Sequence, residues 1–110
     1  MLSLRLYMLQ RITALLMAPL VLGHLATMIY AIQGGLSAAE ILGRTQGSVA
    51  WFLFYGLFVV AVSIHGAIGV RTVAHEWGGL KGTPLDAFMW AMGVGLFTLG
   101  ARAVWAVTFA

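Results

Sequence analysis

Three long apolar runs, parted by two short polar segments, decide what this chain can become. They extend from about Ile12 to Ile32, Ser48 to Val73 and Leu85 to Val107. A helix of about 20 apolar residues is long enough to cross a hydrocarbon core roughly 30 Å thick. Composition points the same way, with 62% hydrophobic and 8% charged residues among 110. A soluble domain carries roughly 45–50% and about 25% respectively, and one this small could not hide so much apolar surface. The expected fold class is an all-α membrane protein with three transmembrane helices. Nothing suggests a linker, an internal repeat or a low-complexity tract, so residues 1–110 read as a single transmembrane domain.

The segments between the runs set the polarity. Gln33-Gly34-Gly35 stops the first helix, and Gly34 to Gly47, with Glu40 and Arg44, reads as a polar connection containing a short interfacial helical turn. His75 to Gly82 forms the second connection. Thr83-Pro84-Leu85-Asp86 resembles a helix start, with Thr as N-cap, Pro at the first helical position and Asp facing the positive end. Arg5, Arg11, Arg71 and Lys81 fall on one side of the bundle, Arg44 and Arg102 toward the other. The positive-inside rule places the first group and the N-terminus in the cytoplasm, and the C-terminus outside. Tyr30, Trp51 and Trp105 then lie near the outer interface and Trp77 near the inner one. The first run shows no small-residue cleavage site and continues at spanning length, so no signal peptide is expected. A pI near 10.0 reflects these topology-setting charges, not a nucleic-acid footprint. The absence of cysteine excludes disulfides, thiolate metal sites, iron–sulfur ligation and thiol nucleophiles.

Two histidines inside the apolar runs, His24 and His65, are the candidate functional groups. Ionisable side chains within a membrane are costly and mark functional sites by default. His24 lies 13 residues beyond Arg11, about 20 Å deep; His65 lies six residues before Arg71, about 9 Å deep. Imidazoles offset by roughly 10 Å are poorly placed to clamp one iron. Either each serves a different haem, with a partner subunit completing each pair, or only one is a ligand. Gly66 and Gly69 flank His65, with Ala61 one turn away, and would leave a flat shelf for a porphyrin. Such small residues equally serve close helix packing. His24 has bulkier neighbours, Leu20 and Met28, and an interhelical hydrogen bond is its ordinary alternative. Pro19 is expected to bend the first helix, and Ala87, Ala91 and Gly95 read as a packing seam on the third.

The run His65-Gly66-Ala67-Ile68-Gly69-Val70-Arg71, followed by Glu76-Trp77-Gly78, resembles the second helix of the C-type cytochrome b membrane-anchor subunits of succinate dehydrogenase. In that family a haem-ligating His is followed at +4 by Gly and at +6 by Arg. Gln10-Arg11-Ile12-Thr13-Ala14 is similar to the family's His-Arg-Val/Ile-Ser/Thr-Gly signature on the first helix. Span number, topology and length agree over nearly the whole chain.

The resemblance implies a subunit of respiratory complex II in the bacterial inner membrane, packed against a second small anchor subunit. An iron–sulfur subunit and a flavoprotein would complete the complex, with the dicarboxylate site in another subunit. It implies haem b, one or two, shared with the partner, and a quinone as substrate. His65 would ligate haem iron and His24 a second, outer haem; Arg71 and Arg102 would meet propionates. Arg11, Tyr7 and Thr13 would line the quinone pocket, where Arg11 supplies fixed positive charge to a reduced quinone oxygen. Snorkelling explains Arg11 as well. Two positions depart from the pattern: Gln10 stands for the His before the arginine, and Tyr7 for the pocket serine. Rival readings are a haem b subunit of a fumarate reductase or another membrane oxidoreductase, a haem-free scaffold, and a small multidrug exporter. The exporter would need a fourth span and an acidic residue in the first.

Overall fold

The computed structural model describes residues 3–109. Among them are four helices, α1 (Leu4–Gln33), α2 (Ala38–Thr45), α3 (Val49–Gly78) and α4 (Gly82–Thr108), and no strand. α1, α3 and α4 are long and apolar enough to span a membrane. The molecule is a rod 47 × 24 × 23 Å, about the length of a 30-residue helix at ~1.5 Å per residue.

The first three helices each begin on a serine. Ser3, Ser37 and Ser48 accept hydrogen bonds from the amides of Leu6, Glu40 and Trp51, satisfying donors that a helix start leaves unmatched. α1 passes through Pro19 without a break and begins eight residues before the apolar run, so Arg5 and Arg11 sit on its projecting first turns. The expected turn in the first connection is α2, reached through Gly35 (φ +99°) and Leu36 (φ +56°).

Two boundary expectations are corrected. His75 to Gly78 is not loop but the last turn of α3, which ends on Gly79 in the left-handed region (φ 70°). The Gly79 and Leu80 amides both reach the Ala74 carbonyl, and His75 Nδ1 lies 2.9 Å from the Leu80 carbonyl. These bonds keep the helix closed past the apolar run. At the start of α4, Thr83 is not the cap. The helix begins at Gly82, whose φ of +63° turns the chain in from Lys81, and no side chain caps it. Pro84 still falls in the first turn, where its missing N–H costs nothing.

α3 lies between α1 and α4, which scarcely touch each other, while α2 packs on the end of α4. Thr45, fully buried, donates to the Val107 carbonyl at 2.6 Å, with the Ile41 carbonyl of its own helix at 3.0 Å, and the Gly47 amide bonds the Thr108 carbonyl. Seen from α3, the seam with α4 runs through two glycines. A Cβ on Gly93 would lie 3.3 Å from Ala67, and one on Gly100 only 2.6 Å from Val59. This corrects the expected seam: Ala87, Ala91 and Gly95 are all exposed, because they lie on the opposite face of α4. Even in α3 only 22% of the most apolar window is buried, so most of the hydrophobic surface faces lipid or another chain.

Candidate functional site

α1 and α3 run antiparallel, which sets Thr13 beside His65 and His24 beside Phe58. Thr13 Oγ1 lies 3.3 Å from His65 Nδ1. Thr13 is 3% exposed, and its hydroxyl donates back to Leu9 at 2.7 Å, with the Gln10 carbonyl at 3.1 Å. A hydroxyl has one proton to give. When that proton points at its own helix, Thr13 is free to accept from His65, and the ring hydrogen then sits on Nδ1. In that tautomer the Nε2 lone pair is the one available to a metal.

The small residues around His65 divide between two neighbours, which corrects the expected open shelf. Gly66 faces α4, where its missing Cβ makes room for Leu96 at 3.2 Å, and Ala61 is buried. Gly69 alone stays beside the imidazole on the α1 side, 3.5 Å from Gln10 Nε2 for a built Cβ. Gln10 Oε1 is buried there with no hydrogen-bond partner among the described residues. A free axial donor, a bare glycine one turn away and an unmatched amide oxygen thus occupy one corner between α1 and α3. Such a corner fits a haem approaching from outside the chain.

His24 stands apart. Its ring stacks on Phe58 with centroids 5.0 Å apart and meets Tyr55 edge-on at 6.3 Å. Phe58 precedes His65 by seven residues, so the two imidazoles differ in level by about 10 Å, in line with the sequence. Cavities of 330 and 300 Å³ border His24.

The remaining sequence candidates separate into three places. Arg11 and Tyr7 are neighbours on the outward face of α1, with the guanidinium donating to the phenol oxygen at 3.3 Å; Tyr7 is 48% exposed. Thr13 does not join them, because it lies on the buried face. Arg71 pairs with Asp86 of α4 at 3.3 Å, and Arg102 is exposed on α4. Ser63 bonds the Val59 carbonyl at 2.7 Å, as expected of a hydroxyl in an apolar helix. Beyond these, an apolar groove of 440 Å³ lies over α3 between Leu9 of α1 and Trp90 and Phe97 of α4. Sequence reasoning missed it, since it arises only from the spacing of α1 and α4. Among the described residues no three His, Cys, Asp or Glu side chains gather as a metal-ion site.

A family model described as succinate dehydrogenase/fumarate reductase transmembrane subunit matches residues 2–102. The chain belongs to that family. No curated protein and no solved structure matches it. As a transmembrane subunit of a succinate dehydrogenase or fumarate reductase, the chain works with partner subunits and within a bilayer. That membership accounts for the extensive apolar surface left open on α1 and α4.

Proposed function

We propose that this family member is a haem b-binding anchor of the C type in succinate dehydrogenase, seated in the bacterial inner membrane with its N-terminus in the cytoplasm. It would pass electrons from an iron–sulfur subunit to quinone, and its bundle would be completed by a second anchor subunit. The observation that carries this reading is the His65–Thr13 pair, which holds a half-buried imidazole by its Nδ1 and leaves Nε2 without a hydrogen-bond partner among the described residues.

In this reading His65 would ligate the haem iron, and the second anchor subunit would help hold the same haem. Haem b supplies one-electron redox chemistry, which the surrounding protein tunes through ligation, burial and nearby charge. Thr13 fixes the ring's tautomer and rotation. Gln10, standing where the resemblance has a histidine, keeps an amide group at the same place, able to donate or accept. Arg11 and Tyr7, at the cytoplasmic end, offer a cation and a phenol to a quinone head group, with Arg11 stabilising negative charge on its oxygen. Arg71 is engaged by Asp86 and would meet a propionate by exchanging partners, while Arg102 and His24 would serve an outer haem. A fumarate reductase would use the same residues with the electrons running the other way.

A reduced-minus-oxidised spectrum of the complex purified through this chain tests the proposal. A b-type band is expected, together with flavin and iron–sulfur signals from the partners. Partners without that band would leave the chain a haem-free scaffold.

A further inference from the structure

Arg44 has no part in the haem reading, and its surroundings are built for a guanidinium. Its Cζ lies 5.3 Å from the ring centroid of Tyr30 on α1 and 5.3 Å from that of Trp51 on α3. Two aromatic rings, one from each helix, flank the cation. Nε and Nη1 are closed to solvent and meet no acceptor among the described residues. An ion-pair partner stands within reach in the sequence: Glu40, four residues earlier on α2, has the spacing and order that suit a helical Glu–Arg pair. Glu40 instead lays its carboxylate over Gly34, where any Cβ would collide with it. A permanent charge with desolvated, unmatched donors is costly, and the cost points to an acceptor from outside the chain.

Arg44 lines a cavity of 300 Å³, with His24, Thr27 and Tyr55 also on its wall. The rim is apolar and faces outward: Met28, Ile32 and Leu36, all exposed, border the same cavity. It lies in the last two turns of α1, at the end of the bundle away from Arg11, where a membrane places its head groups. We propose that this cavity binds the phosphate of an anionic phospholipid, with Arg44 donating to the phosphate oxygens and the rim receiving the first methylenes of the acyl chains. Aromatic clamping from two helices holds the guanidinium in place before the lipid arrives, and its planar donor set is of the kind that suits an oxyanion.

The inference is independent of the haem at His65, but it takes the cavity beside His24 in place of an outer haem. The complex would be extracted from its native membrane, stripped of lipid in detergent and titrated with dioleoyl-phosphatidylglycerol, dioleoyl-phosphatidylcholine or inorganic phosphate under native mass spectrometry. Wild type should bind phosphatidylglycerol about tenfold more tightly than phosphatidylcholine, and Arg44→Gln should abolish that preference. Arg44→Lys keeps charge without the flat stacking and should retain only part of it, so a decision remains even if Arg44→Gln fails to assemble. Equal binding of the two lipids by wild type, or a preference unchanged in the variants, overturns the proposal. So does failure of any phospholipid to bind because a partner residue already occupies Arg44. Displacement by inorganic phosphate at matching concentration overturns the lipid assignment in favour of a free oxyanion.

Discussion

At the scale of single residues the account turns on one hydroxyl. Thr13 Oγ1 meets His65 Nδ1 while also reaching the Leu9 carbonyl of the preceding turn. Replacing it by valine keeps the volume and removes the hydroxyl, leaving a half-buried ring nitrogen unmatched. Interhelical hydrogen bonds of this kind are worth about 0.6–2 kcal/mol in membranes. Thr13→Val should therefore lower thermal stability by an amount of that order and shift the haem midpoint potential, while Thr13→Ser should restore both. A redox titration of the b band, run beside thermal melts, distinguishes positioning from packing, because a packing defect alone moves only the melt. The sequence made His65 legible through its place in an apolar run, and Thr13 legible as a candidate of another kind. Assigning Thr13 to the imidazole instead of the quinone pocket required the rotation of α1, which puts Tyr7 and Arg11 outward and Thr13 inward. No pattern in the residues states that rotation, since α1 is apolar around nearly its whole circumference.

At the scale of elements, three spans and a short interfacial helix were readable from run length and from the polar segment around Glu40 and Arg44. Their ends were less so. Capping by Gly79 and the His75–Leu80 contact carries α3 beyond its apolar stretch, and small residues on α4 occur on more than one face. Which face forms the seam depends on what α3 presents opposite: Ala67 and Val59 select Gly93 and Gly100. Gly100→Ala should overpack this seam and cost about 1–3 kcal/mol, whereas Gly95→Ala, with nothing within 4 Å of the new methyl, should leave stability unchanged. Paired unfolding curves in the same detergent check the contrast. At the other junction, Thr45→Val removes the bond tying α2 to the end of α4. Limited proteolysis between Gly34 and Gly47 should become faster in that variant, with the three spans still intact.

At the scale of the molecule, α3 is flanked by α1 and α4 but enclosed by neither, and the helices that flank it present nearly all their apolar surface outward. Such an open arrangement is what an anchor needs if a second chain is to complete the bundle and the second axial ligand. Expressed without partners, the chain should self-associate or be degraded, and co-expression with its second anchor should raise its level in the membrane; quantitative blotting of membrane fractions checks this. Two imidazoles about 10 Å apart in level cannot serve one iron, so each variant has its own expected spectrum. The decisive measurement is haem content per assembled complex for wild type, His65→Ala and His24→Ala. His65→Ala is expected to remove a b haem from an otherwise assembled complex, with His24→Ala affecting at most a second haem. Full haem content in His65→Ala would contradict that reading.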